Sequence, residues 1–267
     1  MNVMENGKWK IDNKKTLIMG IINLTEDSFY APSRTGVEEV LKTAANMIEA
    51  GVDILDIGAE STRPGAERVP EAQELERIEA AAKIIKKHFP KVTLSADTTR
   101  ASVAEAALKQ GANIINDVSG VSDPEMLRVV KQYNAGLVLM HSLPLHDDII
   151  NDMVSFFNAK IKEITSYGIN GSNIIIDVGL GFAKDTEQNL CILNNLDAFK
   201  ALGYPLLIGH SRKRFTGGSL ASTLAVSSFC ADHGAAILRV HDVKENYEAV
   251  RMMTAIKNSS VMKNEHN

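Results

Sequence analysis

The stretch VTLSADTTRASVAEAALKQGANIIND, residues 92–117, decides the fold. VTLSAD (92–97) and ANIIND (112–117) are short apolar runs, and between them residues 100–110 have helical spacing and stop at Gly111. Two such strands joined by a helix run parallel, because a crossover of this length returns the chain to the end from which it started. The unit repeats in both directions. Upstream lie LIMGIIN (17–23), a helix over 37–50 closed by Gly51, VDILDIG (52–58) and a helix over 71–88 behind Pro70. Downstream lie a helix over 124–133 opened by Pro124, GLVLMH (136–141), a helix over 147–167 closed by Gly168, NIIIDV (173–178) and a helix over 185–202. PLLIGH (205–210), a helix over 219–233 closed by Gly234, AAILRV (235–240) and a helix over 244–257 complete the pattern. These are eight strand–helix units whose strands are continuous apolar runs, as expected when both faces are covered. They predict a single-domain α/β protein, a (β/α)8 TIM barrel, with an open doubly wound sheet as the competing arrangement. The barrel would occupy 17–258; residues 1–16 would form an N-terminal extension or plug, and 259–267 a frayed tail. In the extension, Trp9 and Ile11 would pack and Asp12-Asn13 would turn.

The chain of 267 residues is 45% hydrophobic and 23% charged, with a formal net charge of −4. No broad basic face is implied, which argues against nucleic acid as a partner, although a local cation cluster for a small anion remains compatible. Cys191 and Cys230 stand outside any CxxC or Cys/His cluster, so they read as reduced thiols rather than zinc ligands. The opening MNVMENGKWKIDNKK has no apolar core of a signal peptide, and no apolar run reaches the length of a membrane span. The expected location is the cytoplasm, with no membrane partner.

Active sites of such barrels lie beyond the carboxyl ends of the strands. There the sequence places NLTEDSF (23–29), GAESTRPGAERV (58–69), Asp97-Thr98, Asn116-Asp117, Met140-His141, Asp177 followed by GLGF, GHSRKRF (209–215) and RVHD (239–242). Any one of Asp97, Asn116 or Asp177 could be a helix N-cap. Together they make a ring of donors and acceptors suited to a flat heterocycle rich in N–H and C=O groups. Met140, taken alone, reads as core. Arg212, Lys213 and Arg214 follow a buried strand, and Arg239 and His241 alternate so that both face one side. Cations beside helix N-termini make an anion site, so the mouth fits a phosphorylated heterocycle. GHSRKRFTGGS lacks the spacing of a P-loop.

The blocks NLTEDSF, GAESTRPGA, SADT, IINDVSG, LMH, DVGLGF, SRKRF and RVHDV occur in the order seen in dihydropteroate synthases, from about residue 17 to 250. The chain therefore resembles that family, and the resemblance implies small-molecule substrates: a pterin pyrophosphate and 4-aminobenzoate. By matched motif, Asp97, Asn116, Asp177 and Lys213 would hydrogen-bond the pterin, with Met140 lining its pocket. Asn23, Thr62, Arg239 and His241 would hold the pyrophosphate, bridged by Mg²⁺, for which Asn23 would be a ligand. Phe29, Arg63, Pro64, Phe182, Lys213 and Arg214 would shape the 4-aminobenzoate pocket. Asp97, Asp177, Lys213, Arg239 and His241 would carry catalysis, in a homodimer. The retained STRP segment and the single Phe182 imply sulfonamide sensitivity.

Several positions depart from the family pattern. Glu26 stands for a proline, Tyr30-Ala31-Pro32-Ser33 for a Ser-Asp-Gly-Gly run, Ala59 and Ala183 for glycines, Val178 for a proline and Arg214 for a serine. The segment after Phe215 is shorter than usual. Two other readings follow: a pterin-binding paralogue that has lost turnover, suggested by the altered first loop, and a methyltetrahydrofolate-dependent methyltransferase, which would share the pterin contacts but lack the STRP and SRK segments.

Overall fold

The structure is a computed structural model that describes residues 4–5, 8–9, 15–24, 34–60, 69–145 and 148–259. Two short strands, β1 (Met4–Glu5) and β2 (Lys8–Trp9), pair antiparallel. Ile11, expected to pack, and Asp12-Asn13, expected to turn, lie outside the described residues. The hairpin lies beside the 3₁₀ turn Gly171–Asn173, at the amino-terminal end of the barrel.

Eight parallel strands follow: β3 (Leu17–Asn23), β4 (Ile54–Gly58), β5 (Thr93–Asp97), β6 (Ile114–Asp117), β7 (Gly136–Met140), β8 (Ile174–Asp177), β9 (Leu206–Gly209) and β10 (Ile237–Val240). They close into a barrel in chain order, β10 pairing with β3. The closed sheet settles the choice against an open doubly wound arrangement. Between and after the strands run α1 (Arg34–Glu49), α2 (Glu71–His88), α3 (Ala101–Lys109), α4 (Pro124–Tyr133), α5 (Ile149–Ser166), α6 (Thr186–Asn194), α7 (Leu196–Lys200), α8 (Leu220–Asp232) and α9 (Val243–Asn258).

Local chemistry accounts for the boundaries. Asp123 caps α4 by accepting from Glu125 N–H, with Pro124 in the first turn, where a missing N–H costs nothing. Asp185 and Gln188 form a reciprocal capping box on α6. After α3 the chain turns at Gly111 with φ 95°, a conformation that a side chain would strain. One expectation needs correcting. The helix read over 185–202 is two helices meeting at Asn195, whose side-chain amide donates to Cys191 O at 2.8 Å. An asparagine that binds its own backbone competes with the helical ladder, and here it breaks it.

The strands separate two apolar layers by parity, since alternate residues face opposite sides of a sheet. Leu17, Met19, Ile54, Ile114, Val138, Ile175, Leu207 and Ile237 pack together inside the barrel. Their neighbours Ile18, Leu55, Leu94, Ile115, Leu137, Ile174, Leu206 and Leu238 belong to the larger core under the helices. This parity fixes which polar residues reach the barrel mouth.

Candidate active site

Counting two residues on from each inner apolar position gives the mouth. Ile54 leads to Asp56, Ile114 to Asn116, Val138 to Met140, Ile175 to Asp177 and Ile237 to Arg239, then His241. Leu17 and Met19 share parity with Asn23. On β5 the outward Leu94 and Ala96 leave Thr93, Ser95 and Asp97 facing in. The strand register sets these side chains side by side: Gly58 lies opposite Asp97, Asp97 opposite Asn116, and Met140 opposite Asp177. Asp56, Asp97, Asn116, Met140 and Asp177 are all buried, whereas Asn23 is exposed at the rim.

Arg239 joins two of the acids. Its Nε donates to Asp56 Oδ2 at 2.6 Å and its Nη2 to Asp97 Oδ2 at 2.5 Å, while Asn116 Nδ2 donates to Asp56 Oδ2 at 3.3 Å. Asp56 was not among the residues singled out from the sequence. Of the two acids in VDILDIG, Asp56 stands two positions before Gly58 and two after the inward Ile54, which is the signal that parity counting would have used. Burial pushes the Asp97 carboxyl up to about 7; Arg239 opposes this, and the neighbouring Asp56 and Asp117 add to it. Burial also disfavours the Arg239 charge, but Asp56 and Asp97 outweigh it and hold the guanidinium above its usual range.

Asp177 accepts from Gly179 N–H at 2.8 Å. Its carboxyl is raised by burial, against the pull of Lys213 and of that N–H. Gly179 has φ 63°, and a Cβ there would lie 2.0 Å from His141 O, so only glycine allows this approach. Burial lowers the Lys213 ammonium to about 8, opposed mainly by Asp177. Lys213 donates to Leu180 O and its Nζ lies 4.7 Å from the centre of the Phe182 ring. Phe182, Lys213 and Asp177 therefore form one wall, an aromatic face with a cation and a carboxylate beside it.

Four successive residues pin the loop that carries Lys213. His210 Nε2 meets Ser227 Oγ at 2.7 Å, and Ser227 Oγ donates to Asn246 Oδ1 at 2.5 Å. Because the serine proton goes to Asn246, the imidazole must donate through Nε2. Burial lowers His210 to about 4, so the ring stays neutral. Ser211 Oγ accepts from His241 N–H at 3.2 Å and lies 3.0 Å from His241 Nδ1. Arg212, at φ 56°, forms a two-point ion pair with Asp242 at 2.5 and 3.1 Å. Lys213 reaches across to Leu180. Arg214 is exposed in the 3₁₀ turn that follows. Neither His210 nor Ser211 was singled out from the sequence, since neither is charged at neutral pH or unusual beside a strand.

Of the residues expected at the site, Asn23, Asp97, Asn116, Met140, Asp177, Phe182, Lys213, Arg214, Arg239 and His241 are described on strands or loops at this end of the barrel. Phe29, Thr62, Arg63 and Pro64 lie outside the described residues, as do Glu26 and Tyr30–Ser33. The stem of the second loop is described: Arg100 donates to Val69 O at 2.9 Å, pairs with Glu60 at 3.9 Å and bonds the buried Glu74. Among the described residues there is no cluster of three His, Cys, Asp or Glu fit to hold a metal.

The chain matches the family described as pterin binding enzyme over residues 19–241, and it belongs to that family. It is 42% identical over 257 residues to the dihydropteroate synthase of Bacillus subtilis (strain 168), covering 92% of this chain and 90% of that one. It is 38% identical over 263 residues to the dihydropteroate synthase of Synechocystis, covering 91% of each. Among solved structures, dihydropteroate synthase from Clostridium difficile in the presence of pteroic acid superposes with a TM-score of 0.87 at 39% identity, covering 91% of this chain and 97% of that one. The Xanthomonas albilineans enzyme in complex with 7,8-dihydropteroate superposes with a TM-score of 0.84 at 33% identity, covering 94% and 96%. Within the pterin-binding enzymes, the chain is thus one of the dihydropteroate synthases.

Proposed function

We propose that the chain joins 6-hydroxymethyl-7,8-dihydropterin pyrophosphate to 4-aminobenzoate, giving 7,8-dihydropteroate and pyrophosphate in folate biosynthesis. The observation that carries this reading is the buried inward ring of Asp97, Asn116 and Asp177 beside Lys213. In that ring Asp97 Oδ1 and Asn116 Oδ1 have no hydrogen-bond partner among the described residues. Buried polar atoms without partners are rare in folded proteins, and a pterin edge supplies the groups they need.

In this reading Asp97, Asn116, Asp177 and Lys213 hold the pterin, with Met140 at its side. Asn23, Thr62, Arg239 and His241 take the pyrophosphate. Phe29, Arg63, Pro64, Phe182, Lys213 and Arg214 form the 4-aminobenzoate pocket. The bond between the exocyclic carbon and the pyrophosphate oxygen breaks, and the pyrophosphate leaves with the electron pair. Arg239 and His241 stabilise that anion, while the charge left on carbon spreads into the ring beside Asp177. Burial disfavours the Asp177 carboxylate in the free protein; a ligand that becomes positive restores it. The arylamine nitrogen then forms the C–N bond and gives up a proton. Closure of the site against water protects the cation from hydrolysis.

Mg²⁺ fits the donor set as a cation held chiefly by phosphate oxygens, since it commonly uses only one or two protein groups and the exposed Asn23 offers a side-chain oxygen at the rim. When bound it would neutralise the leaving pyrophosphate. A homodimer is supported by Leu220, Phe229, Met252 and Ile256, which expose apolar surface on the adjoining helices α8 and α9. No helix among the described residues is long and apolar enough to cross a membrane, and a cytoplasmic location is proposed with it.

The test is pyrophosphate release from the pterin pyrophosphate with Mg²⁺, with and without 4-aminobenzoate. Release that depends on 4-aminobenzoate and yields 7,8-dihydropteroate is expected. Tight pterin binding without release would point instead to a silent pterin-binding protein.

A further inference from the structure

The loop after β8 holds a cation that the reaction scheme does not use. Lys184 Nζ donates to three main-chain carbonyls: His141 O at 2.9 Å, Phe182 O at 3.0 Å and Gly179 O at 3.2 Å. An ammonium has three N–H donors, and this cage takes them all. The carbonyls converge because the loop turns left-handed at every second residue, with φ of 63° at Gly179, 78° at Gly181 and 48° at Ala183. Ala183 adopts that conformation although its Cβ crowds the backbone there, so something must hold it. Without the cation the three carbonyls would lose their common donor, and Gly179 O would keep the Phe182 N–H at 3.1 Å. Burial lowers Lys184 to about 8, with Asp177 opposing the shift.

The cage stands between two parts of the site. Gly179 N–H, one peptide from the cage, holds Asp177 Oδ1 at 2.8 Å. Phe182, whose carbonyl is in the cage, sets its ring under Lys213 Nζ. His141, the third member, follows Met140 at the end of β7. Asn189 closes the other side, accepting from Gly181 N–H at 2.8 Å and donating to Asp185 O at 2.5 Å.

We infer that Lys184 is a positioning residue: a built-in cation that sets the distance between Asp177 and the Phe182–Lys213 face, and so governs the 4-aminobenzoate side of the site without touching substrate. The inference rests on the roles proposed above for Phe182 and Lys213. It predicts that the ammonium, rather than the lysine chain, is what the site needs.

The experiment compares wild type, Lys184→Ala and Lys184→Met in steady-state kinetics, with n-propylammonium chloride or tetramethylammonium chloride added at equal ionic strength. For Lys184→Ala the KM for 4-aminobenzoate should rise at least about tenfold, more than the KM for the pterin pyrophosphate. Propylammonium, which replaces the lost chain and its three donors, should lower it again; tetramethylammonium, with no N–H, should not. Lys184→Met fills the space but supplies no donor, so its KM should rise without rescue; it carries the test should the alanine variant not fold. An unchanged 4-aminobenzoate KM in the methionine variant, or a raised KM that propylammonium leaves unaltered in a folded alanine variant, would overturn the inference. Wild-type turnover in the same assay keeps the two readings apart: an inactive wild type sinks the proposed reaction, whereas an active wild type with indifferent variants sinks only the role of Lys184.

Discussion

Arg239 donates to Asp97 across the barrel mouth, Nη2 to Oδ2 at 2.5 Å, and the same guanidinium holds Asp56 through Nε at 2.6 Å. One cation thus keeps two buried carboxylates apart in charge but close in space. Arg239→Met would leave both acids facing each other without compensation. Breaking a buried ion pair by removing one partner costs about 3–5 kcal/mol. Urea unfolding at pH 8.5, above the Asp97 value of about 7, should show a loss of that order. A loss below about 1 kcal/mol, the range of exposed pairs, would mean that the acids are protonated or solvated already.

The raised Asp97 carboxyl, about 7, gives the next prediction a sign. Between the usual carboxylate range and about 7 the folded state binds more protons than the unfolded chain, so this group makes stability fall as pH rises through that window. A pterin N–H donated to Asp97 favours the ionised form and should expel a proton. Calorimetric titration with the pterin at pH 6, in buffers of different ionisation enthalpy, should therefore report proton release, and Asp97→Asn should abolish it. Equal heats in all buffers for the wild type would refute the assignment.

Asp177→Asn keeps the shape and the Gly179 contact while removing charge. Electrostatic groups aimed at developing charge are worth roughly 10²–10³ in kcat. Turnover should fall by that order, with the pterin Kd changing far less. Equal losses in both quantities would assign Asp177 to binding alone.

Ser227→Ala removes the link between His210 and Asn246, both fully buried. Leaving such groups unmatched costs about 1–3 kcal/mol, and thermal unfolding should show it. Because His210 opens the loop that carries Lys213, kcat/KM should fall as well. A destabilised variant with wild-type kinetics would confine the network to folding.

Phe182 and Lys213 form the wall proposed for 4-aminobenzoate, so an arylsulfonamide of like shape should compete there. Sulfamethoxazole should raise the apparent KM for 4-aminobenzoate without altering kcat, and Phe182→Leu should weaken both ligands. Absence of competition in the wild type would contradict the expected sensitivity.

The barrel was legible in the sequence because its strands are apolar on both faces and its helices end at glycines, signals local to each unit. Asp97, Asn116 and Asp177 were legible because they stand at the last positions of such runs. Asp56 was harder to see, because it lies inside its strand and its meaning comes from Arg239, 183 residues away. Lys184 was not singled out from the sequence, since its partners are carbonyls and the backbone bends that gather them cannot be read from residue types. The break at Asn195 was missed for a similar reason: asparagine in a helical pattern is common, and only its bond to Cys191 makes it a stop.

The pairing of β10 with β3 also bears on how the protein is made. Arg239 lies on the last of the eight barrel strands in chain order, and the acids it neutralises lie on the second and third. Until β10 has been made, Asp56 and Asp97 have no counter-ion from it, and that edge of the nascent sheet stays open to wrong partners. Substrate should therefore recognise only a chain that includes β10, so that pterin binding during translation would serve as a clock for closure of the barrel.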